Sequence, residues 1–433
     1  MSLRSIATTL WGKFSKAEIK TFGFLALTAF CIIGTYITLK ALKDPIFMRI
    51  VGRDYIPYAK MLNFMLIVPM LLLYAKLVDW VEHKHRLFYI LCSAYAIFFI
   101  LLAYVLSLPV IGLSNTMPHV TRLLGWVVYF GIESFGTLAI SLFWSYVDST
   151  TLLESAKRGY PFIIMGAQTG ALFGAELAKH ATAVGIFYLF MIVVVALGAI
   201  ALVMHHVARY HGPVTTIKAA KKHTGAFEGL KLLLTRPYLV GIFIIATTHE
   251  IIHMILEYQL MLRADLTCKT TENVIEFFGV YHQTISALSL AISLVGASFL
   301  IRRLGIARCL VIFPTVTAIT TLVVWFKPSL WMLFGAMVII KGTHFAFNAP
   351  CREILFIPTS NDIKFKAKSW IDGFGDRLLK GVGSGINALF SSATTLMFFG
   401  PLIALGIASM WLTVALAVGK KHVALVEANK IVE

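Results

Sequence analysis

Residues 238–261 read YLVGIFIIATTHEIIHMILEYQLM. An apolar run of this length crosses a hydrocarbon core of about 30 Å as one helix. Inside it sits HEIIH, from His249 to His253. Two histidines four apart share a helix face and can hold a metal, with the intervening glutamate as general base. The stretch therefore asks whether the chain is a membrane protein, and whether these polar residues make it an intramembrane zinc protease.

Working outward settles the first question. Of the 433 residues 58% are hydrophobic and only 14% are charged, where soluble domains carry about 25%. The mean hydropathy is +0.82. Apolar runs near 22–41, 57–77, 87–112, 124–147, 160–178 and 183–206 precede a polar stretch. A second set follows near 238–261, 277–300, 308–326, 329–349, 379–398 and 400–418, the last two parted only by Gly400 and Pro401. The expected fold is an all-α membrane protein, a bundle of about 12 transmembrane helices in two six-helix halves.

The five cysteines, Cys31, Cys92, Cys268, Cys309 and Cys351, form no CxxC pair, which argues against thiolate metal sites and disulfide frameworks. No motif calls for a cofactor, and no enzyme is expected. The net charge of +17 is mostly topological. Lys and Arg concentrate in the tails and the even-numbered loops, a positive-inside pattern that places both termini in the cytoplasm and excludes a nucleic-acid footprint. The first span lacks a small-residue cleavage site and reads as a retained helix.

Arg209–Pro237 is basic and divides the chain, giving an N-terminal half 1–206, a cytoplasmic linker 207–237 and a C-terminal half 238–433. The turns YAKLVDWVEHKHRL (74–87) and ASFLIRRLGIARCL (297–310) occupy the same place in each half. Repeated six-helix halves around a midplane cavity are the plan of major-facilitator transporters.

A charge within the bilayer costs several kcal/mol and needs a partner or a wet cavity. Lys40, Glu176 and Lys380 lie close enough to span ends to reach the interface by snorkelling. His282 and His344 suit hydrogen-bonded helix packing, and Lys60 stands near the start of span two. Glu133 and Lys341 lie deepest. Cations facing a cavity suit an anionic solute, and acidic partners keep the empty site neutral.

In span seven His249, His253 and Glu257 recur every four residues and form one stripe, with Glu250 about 100° around the helix. A zinc protease needs a third ligand on a separate element. Glu257 is too near His253 for that, and FNAPCRE offers no aspartate. No metal ligand set is assigned. Histidine titrates near neutral pH, so the four residues suit proton coupling or gating.

Several stretches together resemble the nucleotide transporter family, the ATP/ADP translocases of plastids and intracellular bacteria. They are LKALKDPIFMRIVGRDYIPYAKML (39–62), ESFGTLAISLFWSYVDSTTLLESAKRGYPFIIMGAQTG (133–170), SFLIRRLG (298–305) and KGTHFAFNAPCREILFIPTSNDIKFKAKSWIDGFGDRLLKGVGSG (341–385). The likeness runs in order across nearly the whole chain. It implies a major-facilitator-like fold and movement of nucleotides or related phosphorylated compounds, by exchange or proton symport. The family's charged positions fall on Lys60, Glu133, Lys341 and Lys380, with Asn348 in place and Arg352 as a further phosphate contact. Lys157 and Arg158 fit gate ion pairs. Span seven departs from the pattern: His253 and Glu257 stand at about the family's glutamate and lysine positions, reversing one sign. That leaves open a cargo with fewer phosphates, or another small solute on the same frame. The implied partners are a phosphorylated substrate, protons and the lipid bilayer, in a multi-pass monomer of a bacterial inner membrane or plastid envelope.

Overall fold

The computed structural model describes residues 16–63, 65–66, 69–70, 81, 84–150, 153–211, 228–295, 303–360, 363, 370–390, 392–428 and 430–432. Much of the expected linker 207–237, namely 212–227, lies outside these residues, as do parts of the two basic turns. The side chains of Lys157 and Arg158 are likewise outside what is described.

The chain is an all-α membrane protein. Its long helices are α1 (Lys16–Ile50), α2 (Lys84–Ser107), α3 (Leu123–Thr150), α4 (Leu153–Lys179), α5 (Ile186–His211), α6 (Pro237–Thr267), α7 (Thr271–Val295), α8 (Ile306–Phe326) and α9 (Leu330–Thr343). The short α10 (Ala349–Ile354), then α11 (Asp376–Ala388) and α12 (Ala393–Glu427), follow. Brief helices at Ala181–Val184 and Glu228–Thr235 precede α5 and α6. The described start of the second span is helical over 56–63. Among the described residues seven helices are long and apolar enough to cross a membrane, and the only bridge of β type joins Thr359 to Val432.

Two boundaries differ from the sequence expectation. α1 does not stop at residue 41 but continues through Pro45 to Ile50. It closes where Gly52 takes φ 120° and the amides of Val51 and Gly52 reach back to Phe47 O at 2.8 and 3.4 Å. Lys43 and Asp44 thus lie inside a membrane-spanning helix. At the other end, the break between the last two spans is not at Gly400 and Pro401. α12 starts at Ala393, capped by Ser392, whose hydroxyl accepts from the Thr395 amide at 3.2 Å, and runs through Pro401. Proline is tolerated inside membrane helices because neighbouring groups satisfy the freed carbonyl. Glycine and proline together give a false stop here.

The chain forms two compact units. The first comprises Met1–Gly52, Leu66–Ala219 and Thr270–Gln283; the second comprises Arg53–Met65, Ala220–Lys269 and Thr284–Glu433. In the first, α1 packs most extensively on α4. Gly166, Gly170 and Gly174 recur every four residues, and a Cβ at Gly174 would overlap Gly34 O. Small residues at this spacing let two helix backbones approach closely. Thr38 secures the contact by donating to both Gly34 O and Gly174 O at 3.0 Å.

In the second unit α6 is packed by α9, α11 and α12. Of its most apolar window 72% is buried, against 33–50% for the other spans, so its polar residues face protein and not lipid. α9 ends earlier than expected, at Thr343, and widens into a π-helical turn, His344–Asn348, before α10. Pro350 near the start of α10 has no amide to donate, and the wider turn absorbs that gap. After α10, Ser360 N donates to Val432 O and Val432 N to Pro358 O, both at 2.9 Å, tying this loop to the end of the chain.

Candidate functional site

The second unit gathers most of the residues singled out in the sequence. Glu257 on α6 is 7% exposed. Its Oε2 lies 2.6 Å from Lys60 Nζ, on the helical run 56–63, and its Oε1 lies 2.8 Å from Lys341 Nζ, in the last turn of α9. His253, one turn earlier on α6, places Nε2 3.4 Å from Glu257 Oε1 and Nδ1 3.5 Å from Glu250 Oε2. Glu250 in turn faces His249 Nε2 at 3.4 Å and Lys380 Nζ, on α11, at 3.3 Å. The stripe expected on one helix face is therefore a continuous row, and Glu250 bends onto it from the side.

Local packing explains how the elements come close enough. Gly383 on α11 has Met254 Cβ and Ile251 O where its own Cβ would be, at 2.8 and 2.9 Å. This brings α11 against α6, and Asn387 Nδ2 then donates to Met254 O at 2.8 Å. Lys380, one turn before Gly383, reaches Glu250 as a result. Lys380 is thus an ion-pair partner in the protein and is only half exposed; the snorkelling expectation does not describe it.

Arg352 on α10 donates to Ala246 O at 3.4 Å, and Asn348 Nδ2 lies 3.3 Å from His344 Nδ1. The His344 ring stacks on His249 with centroids 4.0 Å apart. Both residues sit at the Glu250 end of the row.

Glu133 on α3 belongs to the first unit. It pairs with Lys43 on α1, and Lys43 is 3.6 Å from Asp44 and 4.4 Å from the centre of the Tyr129 ring. Lys43 is 3% exposed, so its charge is balanced by two carboxylates and an aromatic face. Glu176 in the same unit is half exposed, pairs with Lys179 and His180 and accepts from Gln283.

Two groups of residues stand outside the site expected from the sequence, although the Lys43–Asp44 pair lies in a stretch that carries the family resemblance. Lys43 and Asp44 fall into a loop when the first span is ended at the charges themselves. Asp376 starts α11 one turn before Lys380, and its buried Oδ1 has no hydrogen-bond partner among the described residues. The i, i+4 spacing of Asp376 and Lys380 is the available signal.

Chemically, the row in the second unit is a chain of alternating cations, carboxylates and imidazoles. The HEIIH spelling reflects this ion network. Among the described residues no three His, Cys, Asp or Glu side chains converge as metal ligands would. Its two lysines, Lys60 and Lys341, share one carboxylate as their anionic partner.

The chain matches the family model described as TLC ATP/ADP transporter over residues 2–331 and 329–422. It is 23% identical to ADP,ATP carrier protein 4 of Rickettsia felis, covering 86% of this chain and 84% of that one. It is 25% identical to the chloroplastic ADP,ATP carrier protein 2 of Arabidopsis thaliana, covering 90% and 73%. ADP,ATP carrier protein 1 of Chlamydia trachomatis is 23% identical, covering 94% and 89%. Among solved structures, the nucleoside transporter NupG superposes with a TM-score of 0.63 at 14% identity, covering 92% of this chain and 99% of that one. A peptide transporter POT in complex with sulfate gives 0.63 at 13% identity, covering 97% and 99%. These likenesses establish a major-facilitator-like fold. With the family matched along almost its whole length, the chain belongs to the TLC ATP/ADP transporter family.

Proposed function

We propose that the chain is a secondary active transporter that moves nucleotides or related phosphorylated anions by alternating access, through exchange or proton symport. The observation that carries this reading is the carboxylate of Glu257 shared by two buried ammonium groups, Lys60 at 2.6 Å and Lys341 at 2.8 Å. A phosphoryl group offers lysine the same charge-assisted hydrogen bonds as a carboxylate, with more oxygens to accept them. It can therefore take the place of Glu257.

Lys380, Arg352 and Asn348 supply further polar contacts at the Glu250 end of the row. In the first unit, Glu133 shares the Lys43 ammonium with Asp44 and serves the substrate path from there. His249, Glu250, His253 and Glu257 serve as the proton-coupling or gating stripe. The halves 1–206 and 238–433 rock about the linker 207–237 as the site changes sides. The names of the Rickettsia, Chlamydia and Arabidopsis relatives support an adenine nucleotide as cargo; the two bacterial relatives favour a bacterial inner membrane, and the chloroplastic one a plastid envelope. The Lys and Arg distribution supports cytoplasmic termini. The chain acts as a monomer embedded in lipid.

A thermal-unfolding screen of the purified protein against nucleotides and sugar phosphates tests the reading. A ligand at 100 times its Kd stabilises the folded state by about 2.7 kcal/mol. Stabilisation by ATP or ADP and not by adenosine is expected; stabilisation by adenosine alone would contradict a site built for phosphate.

A further inference from the structure

We infer that His253 takes up a proton when a phosphorylated anion displaces Glu257 from Lys60 and Lys341, so that each anion binds together with one proton. This rests on the reading of those two lysines as ligand groups.

Glu257 has three cationic or titratable neighbours: Lys60 at 2.6 Å, Lys341 at 2.8 Å and His253 at 3.4 Å. A buried carboxylate that loses its cations must gain a proton or another cation. When phosphate oxygens draw the two ammonium groups away, His253 is the neighbour of Glu257 that remains among the described residues. An imidazole nitrogen is intrinsically a stronger base than a carboxylate oxygen.

The placement of the ring supports this. His253 is 8% exposed, and among the described residues neither nitrogen makes a hydrogen bond of ordinary geometry. A carboxylate oxygen nevertheless stands 3.4–3.5 Å from each, Glu257 from Nε2 and Glu250 from Nδ1. Neutral imidazole carries one N–H and can serve only one of these carboxylates. Imidazolium carries two and serves both. The ring can therefore take its second proton without moving.

The other groups around the ring do not take the proton first. Glu250 has a cation of its own, Lys380 at 3.3 Å, besides the two lysines on Glu257. His249 faces Glu250 and stacks on His344, so a second charge there would lie beside the first. Asp376 on α11 and Arg352 on α10 flank the Glu250 end of the row and oppose each other in sign. The step itself is simple: one proton leaves bulk water, one N–H bond forms on His253, and no other bond changes. Because the complex holds more protons than the free protein, binding tightens as pH falls, by up to about tenfold per pH unit.

Calorimetric titration of the purified full-length protein with ATP, ADP and inorganic phosphate at pH 8, in two buffers of different ionisation enthalpy, counts the protons taken up. At this pH the phosphates of ATP and ADP are almost wholly ionised and inorganic phosphate is mainly its dianion, so proton uptake by the probes themselves is small. Close to one proton per bound anion is expected for the wild type, close to zero for whatever binding His253→Gln retains, and an unchanged count for His206→Gln, an exposed residue of α5 outside the row. Binding by the wild type with no proton uptake overturns the inference and leaves the proposed cargo standing, as does the same count in His253→Gln. The wild-type count decides alone if the variant does not fold. Absence of binding by all three probes overturns the reading of the lysines and this inference with it.

Discussion

Lys60 and Lys341 hold opposite oxygens of a single carboxylate, Glu257, from elements that are far apart in the chain. Neither lysine side chain is more than 11% exposed. Removing one partner of a buried pair leaves the others charged and uncompensated, at a cost of about 3–5 kcal/mol. Glu257→Gln is therefore expected to lower the thermal midpoint of the ligand-free protein. Added ATP should raise that midpoint by more in the variant than in the wild type, because the anion then supplies the missing charge. Equal shifts in the two proteins would show that the lysines do not meet the ligand.

In the first unit, Glu133→Gln leaves Lys43 with Asp44 as its carboxylate partner. The isostere preserves shape and a hydrogen-bond acceptor, so the protein should remain monodisperse on size exclusion. Uptake of labelled nucleotide into proteoliposomes should be lost. Normal uptake by this variant would remove Glu133 from the working residues.

The contact between α1 and α4 depends on the absence of a side chain. A Cβ at Gly170 would overlap Phe30 O, and one at Gly174 would overlap Gly34 O. Gly174→Val is expected to force the helices apart and cost about 1–3 kcal/mol, as overpacking does. Gly198, with no atom near its Cβ position, is the control, and Gly198→Ala should be neutral. The thermal midpoints of the two variants check this.

Arg122 closes the loop between α2 and α3 by donating to four carbonyls, those of Ile111, Gly112, Asn115 and Met117, at 2.7–3.1 Å. Lysine keeps the charge but lacks the planar fork. Arg122→Lys should make this loop cleavable by protease while the spans stay protected, as limited proteolysis followed by mass spectrometry would reveal.

How much of this is legible in the sequence follows from the physics of each feature. Span existence is readable because twenty apolar residues have few alternatives to a membrane helix. Span ends are harder. Lys43, Asp44 and Pro401 look like boundaries, yet neighbouring helices satisfy them, and that information is not local. The same limit applies to the site. His249, His253 and Glu257 are readable as a row from helical period alone, and Lys60 and Lys341 as embedded charges. That both lysines meet Glu257, and that Lys380 meets Glu250, depends on packing such as that at Gly383, which no periodicity encodes. Asp376 escapes notice for the same reason: its role is defined by the helix across from it.

The central claim is that Lys60 and Lys341 bind the phosphorylated cargo once Glu257 releases them. The most direct measurement is uptake of labelled ATP by liposomes containing wild-type protein, Lys60→Gln or Lys341→Gln, preloaded with unlabelled nucleotide. The account predicts wild-type uptake well above empty liposomes and uptake at background for both variants, each still folded by size exclusion. Transport at the wild-type rate by both lysine variants would contradict it.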